Sequence, residues 1–100
     1  MLECLSQINE SDEGRDGQLI CDYQKLVDIM GEPNRQDDPD KVDASWGVQH
    51  DDGRKLFVWN YKNGQAYNGP TGCPVKDIKN WSFGGEESLA IELFGEESVC

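Results

Sequence analysis

Two apolar runs flanking Asp52-Gly53 constrain this chain more than any other feature. Val42, Ala44, Trp46 and Val48 alternate with Asp43, Ser45, Gly47 and Gln49, the period-two pattern of a half-buried strand. Residues 56–61 are rich in aromatic and branched side chains, and Asp-Gly between two such runs is a hairpin signal. A two-residue type I′ turn centred on Asp52-Gly53 predicts Val48 opposite Phe57, Trp46 opposite Trp59 and Ala44 opposite Tyr61. Gly47 with Val58 and Gln49 with Leu56 then fall on the other face. The aromatic face is the expected core face, which buries most of Phe57, Trp59, Tyr61 and Trp81.

Residues 22–30 carry the clearest helical pattern. Asp22 suits the N-cap, Tyr23, Leu26, Val27 and Met30 fall on one face, and Gly31 with Pro33 ends the helix. Residues 34–40 read as a polar loop. Residues 78–83 predict a third strand, with Trp81 and Phe83 on one face and a break at Gly84-Gly85. Glu86 and Glu87 suit the positive end of a helix that Leu89, Ala90, Leu93 and Phe94 continue to Gly95. Leu89, Ile91 and Leu93 also alternate, so a strand is the competing reading there. Residues 1–17 are ambiguous: Leu2, Leu5 and Ile8 have helical spacing, but the run is short and a polar stretch follows. Residues 62–74, with Asn63-Gly64, Asn68-Gly69-Pro70 and Gly72-Cys73-Pro74, form a long turn-rich loop of a kind that often carries function. With 100 residues and no repeat or linker, residues 1–100 predict a single acidic α+β domain. Its three-stranded antiparallel sheet packs a Trp46/Trp59/Trp81 face against two helices.

Charge speaks to partners rather than chemistry. The chain has 20 acidic and 9 basic residues, a formal net charge of -11. Residues 54–79 have the opposite balance: Arg54, Lys55, Lys62, Lys76 and Lys79 face the single acid Asp77. A field this negative opposes direct binding to a nucleic-acid polymer and favours a basic protein partner. Carboxylates can occupy the places that phosphates take in a basic groove, and simple solubility is the competing explanation. The residues expected to touch such a partner are Asp37, Asp38, Asp40, Asp51 and Asp52, followed by Glu86 and Glu87. The alternative is a small nucleotide ligand held by the basic, aromatic segment, with Arg54, Lys55 and Lys62 on phosphate and Tyr67 stacked on the base.

Catalytic and metal signatures are missing from the pattern. Cys4, Cys21, Cys73 and Cys100 show no C-x-x-C spacing, and the carboxylate clusters do not follow a calcium-loop pattern. Nothing in the sequence joins Cys73 to His50 as nucleophile and base. Gly84-Gly85 ahead of a helix could offer amides to an anion, but Glu86 and Glu87 would repel it. The expectation is a non-enzymatic protein without metal or cofactor. The N-terminal residues lack the apolar run and basic flank of a signal peptide, and no stretch reaches transmembrane length. A cytoplasmic protein with reduced thiols is expected, although four cysteines also permit disulfides.

Met30-Gly31-Glu32-Pro33, Trp46, Asp52-Gly53, Trp59-Asn60-Tyr61-Lys62 and Trp81-Ser82-Phe83-Gly84-Gly85 together resemble a small domain that recurs among phage-encoded proteins. The resemblance spans residues 19–95 and is carried by core, turn and cap residues, so it implies a fold more than a function. Size and acidity also resemble phage anti-defence proteins, including anti-CRISPR proteins and nucleic-acid mimics. That likeness implies a host defence protein with a basic nucleic-acid-binding surface as partner, met in the host cytoplasm.

Overall fold

The computed structural model describes residues 2–4, 17–34, 42–60 and 64–99. Among them the fold is α+β. Strands β2 (Gly17–Ile20), β3 (Ser45–His50), β4 (Lys55–Trp59) and β5 (Asn80–Gly85) form an antiparallel sheet in the order β3-β4-β5-β2. The three-residue strand β1 (Leu2–Cys4) extends it beyond β3, with Leu2 opposite His50. Helix α1 is Tyr23–Met30, α2 is the single turn Gln65–Asn68, and α3 is Glu87–Phe94. The α+β class and both longer helices agree with expectation, but three strands were too few. A four-residue strand such as β2 places only Leu19 at full burial, too little for alternation to reveal. Leu2 lies in a strand rather than a helix. The 62–74 segment, where described, is not a featureless loop: it holds α2 and a 3-10 turn at Gly69–Thr71.

The core lies between the sheet and the two longer helices. Leu19, Trp46, Val48, Leu56, Val58, Trp81 and Phe83 meet Leu26 and Met30 of α1 and Leu89, Ala90 and Phe94 of α3. Trp46 and Trp81 are fully buried, and a buried indole needs a partner for its N–H. Trp81 Nε1 donates to the Cys21 carbonyl at 2.9 Å, and Trp46 Nε1 donates to the Gly31 carbonyl at 2.7 Å. These carbonyls flank α1 on either side, so the two tryptophans hold the helix at both ends. The Trp46 and Trp81 rings meet edge to face at 5.3 Å, and Tyr23 sits 5.8 Å from Trp46. As expected, Asp22 caps α1: its Oδ1 accepts from the Lys25 N–H at 2.9 Å. An eight-residue helix is marginal alone, so these ties matter.

The hairpin register differs from the expected one by one residue. Val48 stands opposite Leu56, Trp46 opposite Val58, Gly47 opposite Phe57 and Ser45 opposite Trp59. The cause is the turn. His50 N–H donates to the Arg54 carbonyl at 2.8 Å and Gly53 N–H to the His50 carbonyl at 2.9 Å, which leaves three residues in the loop. Gly53 has φ 97°, the left-handed position that closes a three-residue turn with a bulge. One extra residue turns β4 over. Leu56 and Val58 therefore enter the core, while Phe57 and Trp59 take the opposite face. Trp46 and Trp81 share the core with Tyr23, and Trp59 is only half-buried. Phe57 is still 2% exposed, between Gly47 and Gly84 on the neighbouring strands. Tyr61 lies outside the described residues.

Side-chain amides finish the frame. Asn34 closes part of β3's outer edge: its Nδ2 donates to the Gly47 carbonyl and its Oδ1 accepts from the Gly47 N–H, each at 2.9 Å. Fully buried Asn60 accepts from the N–H groups of Asp43 at 2.8 Å and Ala44 at 3.0 Å. Its Nδ2 donates to Asp43 Oδ2 at 2.8 Å, and Asp43 Oδ1 in turn accepts from Ala66 N–H, which fastens α2 to the end of the sheet.

Candidate functional site

The β3–β4 turn and the start of α3 come together at one end of the hairpin. Gly85 leaves β5 with φ 102°, and a Cβ there would run into the Lys55 carbonyl. That same carbonyl accepts the Glu86 N–H at 2.9 Å, so α3 begins beside the first residue of β4. Asp51 and Asp52 are exposed on the turn, and Glu86 and Glu87 are exposed at the helix start. The fold thus brings two acidic pairs, remote in sequence, to one rim.

Arg54 joins the two halves. Its Nε donates to Asp52 Oδ2 at 2.8 Å, its Nη1 to Ser88 Oγ at 3.3 Å and its Nη2 to Glu92 Oε1 at 2.7 Å. Asp52 Oδ1 also accepts the Arg54 backbone N–H at 3.1 Å. These bonds from Arg54 hold the Asp52 carboxyl down at about 2 and keep Glu92 below the ordinary carboxylate range, while the two carboxylates push Arg54 upward. His50 lies in the same group. The Asp52 N–H donates to its Nδ1 at 3.2 Å, and the two ring nitrogens lie 3.2 Å from Asp52 Oδ1 and 3.4 Å from Glu92 Oε2.

Of the residues expected to meet an acidic-surface partner, Asp51, Asp52, Glu86 and Glu87 therefore share a rim. Asp37, Asp38 and Asp40 lie outside the described residues, as does Lys62 of the alternative ligand set. Arg54, the first cation of that set, is turned onto carboxylates of the protein itself. Lys55 is half-buried in β4, and Tyr67 is 51% exposed on α2. Sequence reasoning missed Ser88 and Glu92, and it weighed His50 as a base for Cys73 rather than as a neighbour of Asp52 and Glu92. The four-residue spacing of Ser88 and Glu92 marks one stripe of α3, but only the packing of α3 against the hairpin shows that this stripe meets Arg54.

The rim offers hydrogen-bond acceptors and negative charge rather than reactive groups. Among the described residues, no three His, Cys, Asp or Glu side chains converge as metal ligands. Cys21 and Cys73 are free thiols. Burial pushes the Cys21 thiol up to about 11, so at neutral pH it is a protonated packing group. No described helix is long and apolar enough to cross a membrane. Comparison with family models, with curated proteins and with solved structures finds no match to this chain.

Proposed function

We propose that this protein is a non-enzymatic inhibitor of the phage anti-defence kind, which binds a host nucleic-acid-processing enzyme and covers its basic channel. The observation behind this reading is the exposed rim, where Asp51, Asp52, Glu86, Glu87 and Glu92 outnumber Arg54 and Lys55. Carboxylates on such a rim can take the positions of phosphates, and complementary fields speed encounter. Arg54, the natural phosphate contact for a nucleotide ligand, is instead bound by Asp52 and Glu92. This favours a cationic protein partner over an anionic small molecule.

The test is affinity capture from a lysate containing candidate defence complexes, at low and high salt and with nuclease, followed by an activity assay on the captured enzyme. The expected result is capture of a nucleic-acid-processing enzyme that is lost at high salt, insensitive to nuclease and inhibited by the protein. Combined reversal of Asp51, Glu86 and Glu87 to Lys is expected to abolish both capture and inhibition. Unchanged inhibition by that variant would overturn the mimicry reading. Release of an ultraviolet-absorbing compound on denaturation would favour the ligand reading instead.

A further inference from the structure

We propose that Arg54 is a positioning residue, a strap that fixes the β3–β4 turn to α3 and so holds the acidic rim in one shape. The guanidinium spreads its nitrogens over two elements: Nε and Nη2 lie 2.8 Å from Asp52 Oδ2 on the turn, while Nη2 and Nη1 reach Glu92 and Ser88 on α3. A planar fork can engage both elements at once, whereas the compact ammonium of lysine acts as a single point. The turn has no apolar anchor of its own, because Asp51, Asp52 and Gly53 are all exposed. Without a cation between them, Asp52 and Glu92 would repel and drive the turn from the helix. Arg54 itself is only 24% exposed, so its hold is screened less than that of a fully solvated pair. In this role Arg54 subtracts a charge from an acidic surface and contributes geometry instead.

The use of the strap rests on the binding reading above, but its measurement needs no partner. Amide hydrogen exchange would be followed by NMR in the wild type and in Arg54→Gln, Arg54→Lys and Glu92→Gln. The Gly53 N–H, bonded to the His50 carbonyl, reports on the turn, and the Val58 N–H reports on the sheet. Exchange at Gly53 is expected to rise on the order of fivefold in all three variants, the scale of a lost exposed ionic network, with Val58 unchanged. High salt is expected to raise it in the wild type and to leave Arg54→Gln unaffected. Wild-type exchange in Arg54→Gln or Glu92→Gln would overturn the strap, and wild-type exchange in Arg54→Lys would show that charge suffices without the fork. If the strap fails while charge reversal still abolishes capture, the binding reading stands alone. If the strap holds and capture is empty, the strap stands and the binding reading falls.

Discussion

Helices α1 and α3 have the same length, eight residues, and share one core, yet they are fastened by different physics. Helix α1 is held at both ends by neutral hydrogen bonds from buried indoles and is capped by Asp22. Helix α3 buries Leu89, Ala90 and Phe94, but its outer stripe is tied to the hairpin by exposed charges around Arg54, and no side chain caps it. Buried neutral bonds respond little to salt or acid, whereas exposed ionic bonds respond to both. The contrast separates a region that sets the fold from one whose surface chemistry remains adjustable, and the acidic residues proposed to meet a partner belong to the second.

The most severe way to break the first region is Trp81→Ala. It removes a fully buried ring and orphans the Cys21 carbonyl, at an expected cost of about 3–5 kcal/mol in chemical denaturation. Trp81→Phe sharpens the point by keeping most of the ring and losing the N–H, with an expected cost of about 1–3 kcal/mol. A loss as small for Ala as for Phe would mean that the indole bond, not the packing, holds the helix. Next in size are the caps. Asp22→Ala is expected to cost about 1 kcal/mol, because the Lys25 N–H loses its acceptor. The opposite sign is expected at Glu86, which sits at the N-cap of α3 without bonding there. Glu86→Ser should stabilise by roughly 0.5–1 kcal/mol in the same assay, marking Glu86 as a residue not chosen for helix stability. Destabilisation by Glu86→Ser would end that distinction.

How much of this was legible in the sequence follows the same division. Helix α1 was readable because its cap, apolar face and terminal glycine all agree locally, and β5 because Trp81 and Phe83 alternate with small residues. The register of β4 was not. Leu56, Phe57, Val58 and Trp59 are apolar at every position, so either face suits a core and alternation carries no register information. The choice fell to the turn, where Asp-Gly serves both a two-residue turn and the last two positions of a three-residue one. The indole bonds to Cys21 and Gly31 join residues distant in the chain, and no local pattern announces them. Asp51, Asp52, Glu86 and Glu87 were visible as candidate residues, but the rim they share was not. It depends on α3 starting beside Lys55 and on Arg54 pairing inward rather than facing a ligand.

The smallest effect tests the second region by acid. Arg54 bonds lower the Asp52 carboxyl to about 2 in the folded chain, below its ordinary value when unfolded. A group depressed by folding favours the folded state above its unfolded value, and that contribution is lost as pH falls through the folded value. Asp52 therefore adds to stability across neutral and mildly acidic pH, and its contribution fades toward pH of about 2. Thermal melts of wild type and Asp52→Asn at low salt are expected to differ slightly at neutral pH and to converge over that acid range. Arg54→Gln should remove a little more, because Glu92 is held low by the same guanidinium. Trp81→Phe should behave differently, with a deficit that stays constant with pH, since neither the indole nor the Cys21 carbonyl titrates there. Parallel acid limbs for wild type and Asp52→Asn would show that the turn carboxylate gains nothing from folding, and the ionic hold on α3 would then rest on the Arg54–Glu92 bond alone.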